Sequence, residues 1–198
     1  MKIYILRHED RTQDATFFSP LTKEGLDNSV KLIDTLINED IDIIYSSPFI
    51  RTLQTVHPFA KNRNKKINIE YALSEIQHPH LIPPKSYEVS LPTYIAESFN
   101  YNSKYTSTME PEQHTYPEDE KNVTVRIKKF LNKLVNENIN TKYNILIVTH
   151  QAVCNSILRI ATKDSSTQID YTYSYPKGGL TQVFNKDKWV FKPINWKE

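Results

Sequence analysis

Two short apolar runs in this chain each end at a histidine. Residues 2–6 lead into Arg7-His8, and residues 144–149 lead into His150. Short runs rich in β-branched residues are typical of strands buried on both faces of a parallel sheet. Ligands bind beyond the carboxyl ends of such strands in open α/β sheets, so each histidine is placed where chemistry is expected.

The rest of the pattern alternates helices with strands. We predict an α/β fold, a three-layer α/β/α sandwich with a mostly parallel central sheet. Thr22 is predicted to be the N-cap of a helix, and Ser47-Pro48 to open a second helix with the proline in its first turn. The face predicted to be buried on the first helix consists of Leu26, Val30, Ile33 and Ile37. Further strands are predicted at about 41–45, 67–71, 180–184 and 189–192, and further helices at 118–134 and 151–162.

A long stretch between the two halves of this pattern has no clear periodicity. Six of the eleven prolines lie between Ser74 and Pro117. A stretch of this length without regular structure usually marks a functional insertion rather than a plain connection. We therefore predict one domain over residues 1–198, with a variable inserted lid at about 76–117.

Composition limits the partners and the compartment. The formal net charge is only +2, so no general field for nucleic acid is expected. The local basic run 61–66 is interpreted as a solvated loop, with a polyanion contact as the alternative. No apolar run approaches the ~20 residues needed to span a bilayer, and no secretory segment is expected, so we predict no membrane partner. The single cysteine, Cys154, favours a reducing compartment, and we expect a cytoplasmic protein.

The residues around the two histidines suggest an anion site. Arg7 and Arg11 flank His8, and Arg51 follows the strand predicted at 41–45. Guanidinium groups bind phosphate in bidentate fashion and screen its charge from an incoming nucleophile. Neutral imidazole can attack phosphorus and divide a difficult hydrolysis into two easier displacements. The helix predicted to start near Gln151 would add free N–H groups to the same site.

These residues stand in an ordered set of motifs that resembles the histidine phosphatase superfamily, also called phosphoglycerate-mutase-like. Its Arg-His-Gly motif corresponds to Arg7-His8-Glu9, and Arg11 matches the Arg-His-Gly-Glu-Arg variant of the phosphatase branch. The other matching stretches are 21–25 (LTKEG), 46–55 (SSPFIRTLQT), 73–75 (LSE) and 148–150 (VTH).

The resemblance implies a role for each matching residue. His8 would be the nucleophile that becomes phosphohistidine, and Glu75 the general acid and base. The phosphoryl oxygens would be bound by Arg7, Arg11, Arg51 and His150. The implied function is a metal-independent phosphomonoesterase without cofactors, acting on a small-molecule or protein phosphomonoester.

Some alternatives stay open. Glu9 stands where the family has glycine; a backbone with φ above zero would strain a glutamate, and a carboxylate aimed at the pocket would repel phosphate. A phosphoglycerate-type mutase and a non-catalytic module that binds a phosphorylated ligand are the other functions considered. Glu97 is an alternative to Glu75 as the acid. A metal site at His78, His80 and His114 is weighed and set aside, because neither Cys nor a carboxylate cluster supports it.

Overall fold

The computed structural model describes residues 1–84, 89–161, 174–185 and 189–196. In these parts of the chain six strands form one sheet, with helices packed on both of its faces. The strands are β1 (Lys2–Arg7), β2 (Ile43–Ser46), β3 (Ile67–Ile69), β4 (Asn144–Thr149), β5 (Leu180–Asn185) and β6 (Trp189–Pro193). The helices are α1 (Lys23–Ile37), α2 (Ile50–Asn62), α3 (Thr93–Ala96), α4 (Glu120–Asn138) and α5 (Gln151–Ala161).

The sheet has the order β3-β2-β4-β1-β5-β6. The first four of these strands are parallel, whereas β5 pairs antiparallel with β1 and β6 pairs antiparallel with β5. In the register of β1 and β4, Arg7 lies opposite Thr149. The histidines that follow these two strands therefore lie at the same level of the sheet. The strand order and directions confirm the predicted α/β fold with a mostly parallel sheet.

Alternation along the strands divides the core into two layers. Tyr4, Leu6 and Val148 belong to the cluster that packs against α1 and α2. Ile5 and Ile147 belong to the cluster that packs against α4 and α5 on the other face. The helix predicted at 118–134 is confirmed as α4, whose buried apolar residues belong to this second cluster: Val123, Ile127, Phe130, Leu131 and Leu134.

The prediction for the buried face of α1 is wrong. Thr22 is the N-cap as expected, and its side chain accepts from the N–H of Gly25. The buried residues of α1 are Gly25, Ser29, Leu32 and Leu36. Leu26, Val30 and Ile37 are exposed to solvent, and Ile33 is partly buried. The helix turns Gly25 inward because its backbone packs against the loop after β1, where a Cβ would lie 2.1 Å from the carbonyl oxygen of Asp10.

The start of α2 also differs from the prediction. The helix begins at Ile50 with Phe49 as its N-cap, so Pro48 precedes the helix instead of lying in its first turn. Ser47 turns inward, and its hydroxyl bonds to the ring of His150. The third strand, predicted to run to Tyr71, ends at Ile69, because a 3-10 turn begins at Tyr71. The last residue of the helix predicted at 151–162 lies outside the described residues.

The insertion is attached to the edge of the sheet by backbone hydrogen bonds to Ile67 on β3 and by the buried carboxylate of Glu70. Glu70 accepts hydrogen bonds from the Tyr105 hydroxyl, the Ser107 hydroxyl and the backbone and side chain of Thr108. Nearer the start of the insertion, Ile82 is buried in an apolar cluster that also includes Phe17 and Phe49. No helix among the described residues is long and apolar enough to cross a membrane.

Candidate active site

A cavity lies beyond the carboxyl ends of β1 and β4. Four of the predicted site residues, Arg7, His8, Arg11 and Glu75, line it. Its volume is about 280 Å³, and the other lining residues are Asp10, Gln13, Leu81, Gln151, Ala152 and Lys177. The structure thus brings residues from both ends of the chain and from the insertion to one place.

His8 is held in a single orientation by the backbone around it. Its Nδ1 lies 2.7 Å from the carbonyl oxygen of Glu9, and its backbone N–H donates to the carbonyl of Thr149 on β4. A carbonyl oxygen can only accept, so Nδ1 carries the proton and Nε2 of the neutral ring is left with a lone pair. Burial, together with the nearby charge of Arg51, lowers the pKa of His8 well below its usual value. The ring is therefore neutral and suited to nucleophilic attack.

Glu9 does not occupy the cavity. Its φ lies outside the left-handed region, since the non-glycine residues with positive φ in the described chain are Ala15, Asp40, Asn64 and Asn100. Its backbone N–H donates to the Thr55 hydroxyl at 3.0 Å. Its carboxylate packs against Gly178, where Oε1 lies 1.9 Å from the position that a Cβ would take. Neither the backbone strain nor the carboxylate in the pocket that the sequence suggested is observed.

His150 is fully buried directly behind the cavity. Its ring centroid lies 5.3 Å from that of His8, and Phe49 packs against it. Its Nε2 lies 2.8 Å from the hydroxyl of Ser47, while Nδ1 lies 3.6 Å from Oε2 of Glu75. Burial lowers the pKa of His150 well below its usual value, so the ring is neutral. If Ser47 donates to Nε2, the proton of the ring is on Nδ1, the atom that faces Glu75.

Glu75 follows the 3-10 turn of residues 71–73 and is largely buried. Its Oε1 accepts from the backbone N–H of Ile76 at 3.0 Å. Burial raises the pKa of this carboxyl group, which favours the protonated form that a general acid needs. Glu97, the alternative acid, lies in the insertion and does not line the cavity.

The three arginines take different positions around the cavity. Arg7 donates to the carbonyl of Tyr175, and Arg11 donates to the carbonyl of Thr12; both side chains line the cavity. Arg51 is buried and is not among the lining residues. Its guanidinium lies 4.6 Å from the centre of the Phe49 ring and donates to a backbone carbonyl in the loop after β1. Burial lowers the pKa of Arg51 to about 10, which still leaves it charged at neutral pH.

Two further polar residues at this site, Lys177 and Ser47, could not be recognised from the sequence. Lys177 lines the cavity and forms an ion pair with Asp10, which also accepts from the Thr22 hydroxyl at 2.8 Å. The one sequence feature that could have pointed to Lys177 is its place directly before Gly178 and Gly179. Ser47, the partner of His150, was assigned to a helix start, and no local pattern distinguishes the two roles.

No group of three or more potential metal ligands occurs among the described residues. The rings of His78 and His80 lie 4.9 Å apart, and His114 is buried elsewhere in the insertion. Cys154 is fully buried in α5, and burial raises the pKa of its thiol, so it is not a reactive thiolate.

Comparison with known proteins agrees with this geometry. The chain matches the histidine phosphatase superfamily (branch 1) over residues 3–197. It is similar to the transcription factor tau 55 kDa subunit of Saccharomyces cerevisiae, with 28% identity over an alignment 177 residues long, which covers 76% of this chain and 38% of that protein. The chain therefore spans less than half the length of this curated relative.

Several solved structures have the same fold. Ecdysone phosphate phosphatase from Bombyx mori, in complex with tungstate, has a TM-score of 0.78 at 16% identity, covering 100% of this chain and 96% of that one. Alpha-ribazole phosphatase from Shigella flexneri has a TM-score of 0.70 at 17% identity, covering 99% and 96%. A mycobacterial glucosyl-3-phosphoglycerate phosphatase has a TM-score of 0.66 at 13% identity, covering 98% and 97%. At these identities the likeness shows the fold alone.

Proposed function

We propose that this chain, which belongs to the histidine phosphatase superfamily (branch 1), is a phosphomonoesterase that works through a phosphohistidine at His8. One observation carries the proposal: a neutral histidine with its Nε2 unprotonated lies in a cavity with a buried carboxyl group and two arginines. Several solved structures of the same fold carry the names of phosphatases, and those of the mycobacterial glucosyl-3-phosphoglycerate phosphatase include complexes with VO3 and with inorganic phosphate.

The proposed reaction has two displacements at phosphorus. In the first, Nε2 of His8 forms a bond to phosphorus while the bond to the leaving oxygen breaks, and Glu75 gives its proton to that oxygen. In the second, water attacks the phosphohistidine, Glu75 takes a proton from the water, and the bond between phosphorus and nitrogen breaks. Inorganic phosphate then leaves, and both residues have returned to their starting protonation states.

The charge on the phosphoryl oxygens is balanced from several sides. Arg7 and Arg11 meet the oxygens in the cavity, and the buried charge of Arg51 acts from behind His8. When Ser47 donates to Nε2 of His150, the proton of that ring is on Nδ1, on the side of Glu75, and the neutral ring can donate to a phosphoryl oxygen there. The first N–H groups of α5, at Gln151 and Ala152, add the positive end of a helix dipole.

The test is a steady-state assay of phosphate release. A panel of small phosphate monoesters, nucleotides and phosphotyrosine peptides is assayed with and without chelator, for the wild type, His8→Ala and the control His57→Ala, whose histidine lies on α2 away from the cavity. We expect release that is insensitive to chelator, that His8→Ala abolishes and that the control retains. Release from His8→Ala at the wild-type rate contradicts the proposal. If phosphoglycerate is included and is converted to its isomer without release of free phosphate, the result supports the phosphomutase alternative.

One observation favours a second candidate, a non-catalytic module that binds a phosphorylated ligand. The curated relative is named as a transcription factor subunit, and its name describes no enzyme activity. Calorimetry with inorganic phosphate separates the two candidates. Binding that requires Arg7, together with no turnover of any substrate in the panel, supports the module.

A further inference from the structure

The short segment that carries Glu75 is held by a buried ion pair that does not line the catalytic cavity. Glu118 and Arg126 are 4% and 5% exposed, and they meet in a bidentate pair. Nε of Arg126 donates to Oε1 of Glu118 at 2.6 Å, and Nη2 donates to Oε2 at 2.9 Å. Arg126 also bonds to the backbone before Glu75, and Glu118 also bonds to the backbone after it.

The arginine holds the segment before Glu75. Nη1 of Arg126, on α4, donates to the carbonyl oxygen of Ala72 at 2.5 Å. The next carbonyl, that of Leu73, accepts from the Thr149 hydroxyl at 2.7 Å, which connects the same segment to the end of β4. Both bonds fix the backbone within three residues of the carboxyl group.

The glutamate holds the segment after Glu75. Oε2 of Glu118 accepts from the backbone N–H of Gln77 at 3.2 Å, and the N–H of Glu118 donates to the carbonyl of Gln77 at 2.6 Å. The side chain of Gln77 then donates to the carbonyl of Glu75 itself at 2.6 Å. An unbroken series of hydrogen bonds therefore joins Arg126 to the backbone of Glu75.

We propose that the Glu118–Arg126 pair, acting through Gln77, positions Glu75 for proton transfer to the leaving group. The inference rests on the proposed function, because it assigns a purpose to the acid of that reaction. A buried ion pair is often no more stabilising than apolar residues of the same size. Its hydrogen bonds do fix a unique backbone geometry, and misplacing a catalytic group by about 1 Å can cost as much as about 100-fold in rate.

The experiment compares two classes of substrate. An alkyl phosphate has a poor leaving group and needs a proton from Glu75, whereas p-nitrophenyl phosphate has a good leaving group and needs it much less. The quantity measured is kcat/KM, which reports only the steps through phosphoryl transfer to His8. A general structural defect lowers kcat/KM for both classes, whereas a misplaced acid lowers it mainly for the alkyl phosphate.

Two variants and one control are needed. Arg126→Met removes three donors but leaves Glu118 buried without its partner, so it can fail to fold. Gln77→Met has nearly the same shape and removes only the bond to the carbonyl of Glu75, and thermal unfolding checks that it folds. Arg159→Met is the control, since its ion pair with Glu120 also involves α4 but lies on the exposed side.

We expect Gln77→Met to lower kcat/KM for the alkyl phosphate about tenfold and that for p-nitrophenyl phosphate less than about threefold. A folded Arg126→Met should show the same selective loss, and the control should show none. Equal losses for the two substrates, or no loss in folded Gln77→Met, overturn the inference while leaving the phosphatase activity in place. A wild type that releases phosphate neither from these two substrates nor from any member of the panel refutes the proposed function, and the inference fails with it.

Discussion

At the scale of single residues, Glu9 and Gly178 share one space beside the nucleophile. The carboxylate of Glu9 occupies the volume that a side chain at 178 would need, and Gly178 has a φ of 63°. The larger residue after His8 is thus accommodated by the absence of a side chain in the turn before β5. The two positions should be energetically coupled.

We predict that Gly178→Ala destabilises the fold by about 2–4 kcal/mol, because it adds both a steric clash and backbone strain. Adding Glu9→Gly to this variant should restore the part of the unfolding free energy that is lost to the steric clash. The part lost to backbone strain at φ above zero should remain. Urea unfolding of the two single variants and the double variant measures the coupling. Effects that add within about 0.5 kcal/mol would show that the two residues are independent.

The protonation states of His8 and Glu75 predict a pH profile. The reaction needs a neutral histidine and a protonated glutamate; with ordinary pKa values near 6.5 and 4.5, only about 1% of molecules would have both. Burial lowers the pKa of His8 and raises that of Glu75, and both shifts enlarge this fraction. On the acid side activity falls as His8 becomes protonated, and on the basic side it falls as Glu75 loses its proton.

We therefore predict a bell-shaped profile of kcat/KM with an acidic to near-neutral optimum. The profile is measured with the alkyl phosphate, whose poor leaving group needs the proton of Glu75, between about pH 4 and 9 and corrected for titration of the substrate phosphate. Glu75→Gln should remove the basic limb and leave the acid limb in place. A profile that stays flat over this range, or a basic limb that persists in Glu75→Gln, argues against the assigned pair.

Four of the ten lining residues, Arg7, His8, Arg11 and Glu75, could be singled out from the sequence because each follows a strand or stands in a motif. The residues that contact these side chains could not be predicted. Ser47 meets His150 across 103 residues of chain, and Lys177 meets Asp10 across 167. The position of Arg51 behind the cavity depends on a carbonyl in the loop after β1. Such contacts are set by tertiary packing, which leaves no local pattern.

At the scale of elements, α1 shows how a correct helix can be assigned the wrong face. Its predicted face and its buried face have the same spacing and differ by one residue in register. Hydrophobicity favours the set with Leu26 and Val30, but close backbone packing at Gly25 selects the other set. Periodicity could therefore predict the helix, while the packing of a glycine on Asp10 decided its rotation.

The observed face makes a prediction about stability. Leu36 is completely buried between α1 and the sheet, whereas Val30 is 56% exposed. Leu36→Ala should therefore lower the free energy of unfolding by about 2–5 kcal/mol, and Val30→Ala by less than about 0.5 kcal/mol. Denaturant unfolding of both variants is the measurement. The reverse order of effects would mean that the face predicted from the sequence is the buried one.

At the scale of the whole molecule, the site is a consequence of sheet topology. Placing β1 beside β4 brings His8 and His150 together, and this neighbourhood follows from the parallel α/β pattern. The path of the insertion does not follow from any such pattern. Beside Leu81, the carbonyl of Ile82 accepts from the Tyr116 hydroxyl, and the Ile82 side chain packs in the cluster of Phe17 and Phe49. The position of Leu81 at the cavity depends on these tertiary contacts and could not be predicted.

The central claim is that His8 becomes covalently phosphorylated during turnover. The most direct measurement is rapid mixing with substrate, quenching in base to preserve the acid-labile phosphoryl–nitrogen bond, and mass spectrometry of the peptide that contains His8. We expect one added phosphoryl group on His8, formed and lost at rates consistent with turnover, and absent from His8→Ala. Turnover without this phosphorylated peptide, or with the phosphoryl group on another residue, would contradict it.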